Sequence, residues 1–75
     1  MKSGDLVVIK ARQKIGAKGF TTFPGVYDYH EAVWVESGIG IIVESRDVFH
    51  KVFIHGRNVW FEHFVVRPVQ NTTQP

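Results

Sequence analysis

The chain alternates between short apolar runs and turn residues and never holds a helical period for long. Leu6-Val7-Val8-Ile9 follows the Gly4-Asp5 turn, and Gly40-Ile41-Ile42-Val43-Glu44 is closed by Ser45-Arg46-Asp47. Lys51-Val52-Phe53-Ile54 and Val59-Trp60-Phe61 flank the compact connection His55-Gly56-Arg57-Asn58, where Gly56 is suited to a positive φ. β-Branched residues dominate these runs, and such residues favour strands. The pattern predicts strands near 5–10, 33–37, 39–45, 50–54 and 59–61, with a short last one near 65–67. Ser37-Gly38 marks a bulge or turn, so 33–37 and 39–45 are either two strands or one bent strand. Glu62-His63-Phe64 is long enough only for a single 3₁₀ turn.

Alternation assigns faces. Val7, Ile9, Ile42, Val52, Ile54, Phe64 and Val66 fall on one side with Trp60 or Phe61, and form the expected core. Leu6, Val8, Ile41, Val43 and Phe53 point the other way, too many apolar side chains for an ordinary solvent face. Either residues 11–32, a long Gly- and Pro-containing loop, cover them, or they form an interface. An antiparallel sheet this small must curl and close, because flat it exposes one apolar face and two edges.

Composition narrows the class. With 75 residues, 44% hydrophobic and 21% charged, the chain holds one thin core and is too apolar for disorder. The absence of cysteine excludes disulfides, thiolate metal sites and cysteine nucleophiles. The opening apolar run, Leu6–Ile9, is too short for a signal peptide, and no segment has the length to cross a bilayer. The expectation is a cytoplasmic protein with no membrane partner. Residues 1–69 form the domain, and 70–75 a flexible tail.

The order Gly4-Asp5-x-Val7, a long loop, Gly40-x-Ile42, Val52-Phe53-Ile54, a Gly-containing turn, Trp60, Phe64-x-Val66 resembles the small SH3-like barrels. Those with a KOW-like opening occur in ribosome- and transcription-associated proteins, in small bacterial and phage proteins, and in the variable chain of ferredoxin–thioredoxin reductase. The resemblance implies an all-β, five-stranded SH3-like barrel with a long loop after the first strand and a 3₁₀ turn before the last. Residues 11–32 match no motif of that family. A loop in that place often supplies part of the binding face in SH3-like proteins.

Chemistry-bearing motifs are few. His50 and His55 would lie roughly 16 Å apart on an extended strand, too far to share an ion. No cysteine pair precedes these two and no helix carries them. His63 lies with Glu62 in the turn before the last strand, and the four histidines, His30 included, are expected as partly exposed groups at strand ends. Asp28, His30 and Glu31 share a loop without a recognisable nucleophile, and Gly16-Ala17-Lys18-Gly19 is not a phosphate-binding loop. No catalytic residue, metal ligand or cofactor site is assigned, and the protein is expected not to be an enzyme.

The net charge is +2, unevenly spread. Lys10, Arg12, Lys14 and Lys18 form an acid-free basic run, followed by Asp28, Glu31 and Glu36. Phe20, Phe23, Tyr27, Tyr29 and Trp34 crowd the same region. The basic run is either a solvated loop or a patch for an anionic partner. The rings either fold down as a lid on the second sheet face, meet a protein, or stack on bases while the cations hold a backbone. The candidate surface is thus Lys10, Arg12, Lys14, Lys18, Phe23, Tyr27, Tyr29 and Trp34. The reading preferred on sequence is a non-enzymatic interaction or accessory module that binds a protein partner or self-associates. The alternative is a barrel that binds RNA or single-stranded nucleic acid through 10–34.

Overall fold

The structure is a computed structural model that describes residues 1–12, 14–24 and 31–69. Those residues are all-β, with seven strands in one antiparallel sheet: β1 (Leu6–Ile9), β2 (Ala17–Phe20), β3 (Ala32–Val35), β4 (Gly38–Arg46), β5 (Phe49–Ile54), β6 (Arg57–Glu62) and β7 (Val66–Pro68). A 3₁₀ turn, His63–Val65, precedes β7, as the polar break after Phe61 predicts. The strand order is β3-β2-β6-β5-β4-β1-β7. The tail 70–75 lies outside the described residues.

The centre of the sheet is local. Strands β4, β5 and β6 form a meander, joined by two-residue turns at Asp47-Val48 and His55-Gly56. His55 and Gly56 both adopt positive φ, 52° and 80°, the pairing that matches hairpin twist. The outer strands come from distant parts of the chain. Strand β1 adds to β4 with Leu6 opposite Ile41, and β7 adds to β1 with Val8 opposite Arg67. Register shifts between Ile42 and Glu44, so Val43 is an extra residue that bends β4 where its pairing passes from β1 to β5.

The count of five strands is corrected to seven. One cause is β2, which forms inside the stretch read as loop. Ala17, Lys18 and Gly19 are poor strand formers, and β3 supplies the pairing that makes them one. Gly19 faces inward, where a Cβ would collide with the Val59 and Phe61 side chains, so its bare backbone lets β2 close onto β6. The other cause is the corner at Glu36-Ser37. Val35 ends a strand at one end of the sheet and Gly38 begins a central one, so the chain turns there between the two arms.

Every strand contributes to the core, which comprises Val7, Ile9, Ala17, Val35, Ile42, Val52, Ile54, Val59, Phe61 and Val66. Six of the seven side chains expected inside are there. Phe64 is not; it is 63% exposed. Parity counted back from Val66 placed it inward, but Phe64 lies in the 3₁₀ turn, where period-two alternation does not apply. Val65 packs against the core from that turn, and Phe61 supplies the large ring. The sheet curls into a half-barrel around this cluster, and its two end regions, near β3 and β7, face one another across a groove.

Candidate functional site: a basic, aromatic groove at the sheet ends

One wall of the groove comes from β1, β7 and the 3₁₀ turn, and the other from β2 and β3. Alternation explains the first wall. Val7, Ile9 and Val66 turn into the core, so Val8 and Arg67, paired across β1 and β7, turn out. Phe64 projects beside them. Lys10 and Arg12 continue from β1, and the Ala11 amide donates to Ser37 Oγ at 2.7 Å, tying this segment to the corner after β3. On the second wall, Val35 and Ala17 turn inward, and Lys18 and Trp34 stand opposite each other on the outer face.

The space between the walls has a volume of about 970 Å³. Among the described residues four cations line it, Lys10, Arg12, Lys18 and Arg67, and no carboxylate does. Trp34 is 44% exposed and, with Phe64, offers a ring to the groove. Cations on both walls add their potentials in the cleft between them, a field that draws an anion into it.

Four of the sequence candidates meet here: Lys10, Arg12, Lys18 and Trp34. Lys14 is exposed in the turn before β2 and does not line the groove. Tyr27 and Tyr29 lie outside the described residues, as do Asp28 and His30. Glu31 and Glu36, the described acids that follow the basic run, are exposed but outside the lining. Sequence reasoning missed Arg67 and Phe64. Arg67 was legible, because a residue beside an inward Val66 on a strand must face out. Phe64 was hidden by its assignment to the core.

Phe23 belongs to a different cluster. Its ring packs edge-on against Phe49 at 5.5 Å and Trp60 at 5.0 Å between centroids, and the Arg46 guanidinium lies 4.6 Å from its centre. Phe20 also meets Phe49 edge-on. These rings fold down over the outer side of β5 and β6 beside the buried Trp60, but they do not cover Leu6, Ile41, Val43 and Phe53 as the expected lid would, and Trp34 stays open.

The histidines divide three ways. His30 is undescribed. His55 is exposed at its turn, and its Nε2–H donates to the Glu36 carbonyl at 3.0 Å. His50, expected at a partly exposed strand end, is buried inside β5, between Ser45 Oγ at 2.7 Å and His63 Nδ1 at 2.8 Å. Burial, and after it the charge of His63, lower the pKa of His50 below its ordinary value. The imidazole is therefore neutral at pH 7. Among the described residues no group of three or more histidine, aspartate or glutamate side chains is placed to hold a metal ion, and no helix is long and apolar enough to cross a membrane.

No protein-family model, no curated protein and no solved structure matches the chain.

Proposed function

We propose that this chain is a non-enzymatic binding module whose groove holds a single-stranded nucleic acid. The observation that carries this reading is the lining itself: four cations on two facing walls, two exposed rings, and no carboxylate among the described residues. Lysine and arginine hold phosphates without regard to sequence, and exposed ring faces stack on unpaired bases, which a duplex does not offer. Lys10, Arg12, Lys18 and Arg67 track the backbone, and Trp34 and Phe64 take bases. A small SH3-like barrel with an added β2–β3 hairpin is the fold assignment that goes with this function. It is supported by the curled sheet and by the 3₁₀ turn before the last strand.

The preference for a nucleic acid over a protein partner reverses the one drawn from sequence, and charge placement is the reason. The overall charge of +2 is small, but among the described residues no acid lines the groove and four cations do. A protein partner is the second reading, and a different observation favours it: the uncovered apolar face of β1, β4 and β5.

Anisotropy titration of labelled single-stranded DNA and RNA against salt tests the proposal. Four phosphate contacts predict a log–log slope of about −3, hence a loss of roughly 60-fold between about 50 and 200 mM salt. Lys18→Glu or Arg67→Glu weakens binding and makes the slope shallower. Trp34→Ala weakens binding about 5- to 150-fold, the worth of one stacked base, and leaves the slope unchanged. No binding at about 50 mM salt, where the electrostatic contribution is strong, rejects the reading.

A further inference from the structure

The outer face of β1, β4 and β5 is apolar in register. Leu6 stands opposite Ile41, Ile41 opposite Phe53, and Val8 opposite Ile39. Strands lie about 4.8 Å apart, so Leu6, Ile41 and Phe53 form a continuous row about 10 Å long, flanked along β4 by Ile39 and, at the bulge, Val43. These five are exposed, Phe53 by 48% and Ile39 by 62%, and Val8 is half-buried. Phe20 and Phe23 cover Trp60 and leave this region open.

We infer that this face is the interface of a homodimer in which two copies pack sheet against sheet about a two-fold axis. Two features select a second copy as the occupant. The first is area. Leu6, Ile39, Ile41, Val43 and Phe53 are each 42–62% exposed, an apolar surface of roughly 400–500 Å², within the ~300–600 Å² of largest patches that are often functional. With a polar rim at the usual proportion it comes close to the ~800 Å² per partner of a standard interface. The second is charge. The row itself is uncharged, and the ionic groups beside it carry both signs, Lys2 with Asp5 before Leu6 and Lys51 with Glu44 beside Phe53. Such a surface presents no field that selects an acidic or a basic partner, and it meets its own copy without opposing like charges across the row. Lys10, Arg12, Lys18 and Arg67 lie in the groove, which this interface leaves to its ligand.

Sedimentation equilibrium of the full chain tests this, from about 5 to about 500 μM to span the micromolar affinities of modest interfaces. The expected result is a mass that doubles across that range. Ile41→Lys and Phe53→Asp stay at monomer mass while keeping the parent's circular dichroism and melting, because both side chains lie outside the core. Leu6→Lys, on the neighbouring strand, gives the same loss independently. A parent that remains monomeric at the highest concentration overturns the inference, and so does a dimer that survives all three substitutions. Lys18→Glu separates this inference from the nucleic-acid reading: it dimerises as the parent does, whatever its effect on binding, and loss of the dimer in that variant also counts against this interface.

Discussion

Phe61 and Phe64 are three residues apart and meet opposite environments, one fully buried and the other 63% exposed. Truncating Phe61 removes a fully buried large ring from the core cluster. Phe61→Ala therefore costs about 3–5 kcal/mol, close to the whole stability of so small a domain. Phe64→Ala changes stability by no more than about 0.5 kcal/mol, as a surface substitution does, and loses affinity for single strands. Chemical denaturation of the two variants shows the contrast. His50 supplies a second test at this scale. Its folded pKa is lowered, so the unfolded chain binds more protons below the ordinary value of 6.5. Its contribution is fully present above about pH 6.5 and is lost as pH falls through the folded pKa. Melting temperature falls as pH drops below about 6.5, and His50→Asn flattens that part of the profile. An unchanged profile in the variant assigns the pH dependence elsewhere.

The β2–β3 hairpin carries Lys18 and Trp34, one whole wall of the groove, yet it joins the rest of the sheet through one paired position, Phe20 opposite Trp60. The meander β4–β6 is paired along its length. Amides of β2 and β3 therefore exchange faster than those of β5, with protection factors lower by about an order of magnitude or more, and ligand slows them. Equal protection across both regions contradicts this account. Gly19→Ala puts a methyl group where Val59 and Phe61 already pack, and loosens the hairpin first. Sequence could not reveal β2. Its residues have little strand preference of their own, and its partner β3 lies beyond residues 21–31, so the strand exists only through a non-local pairing. By contrast β4, β5 and β6 are adjacent in sequence, rich in β-branched and aromatic residues, and marked by the His55-Gly56 turn. Local chemistry suffices there.

Across the whole molecule two surfaces of different chemistry share one side of the sheet. The groove is cationic and open, and the face of β1, β4 and β5 is uncharged and apolar, with Val8 where the two adjoin. A dimer built on that face carries two grooves, so a strand long enough to reach both binds more tightly than a short one, by up to about 10²-fold. Oligonucleotides of increasing length show a step in affinity for the parent and none for Ile41→Lys. What the sequence determined by itself was everything carried by neighbours along the chain: the all-β class, the central strands, the face of nearly every core residue, and the excess of apolar side chains on the opposite face. Period-two alternation is a local property, and it survives folding wherever the backbone stays extended. The tertiary structure decided the rest. It broke that alternation at Phe64, recruited residues 17–20 into the sheet, and curled the sheet until Lys10 and Arg12 faced Lys18 and Trp34, with Arg67 joining from the far end of the chain. These outcomes depend on contacts between distant segments and on the curvature of the sheet, which single residues and their neighbours do not encode.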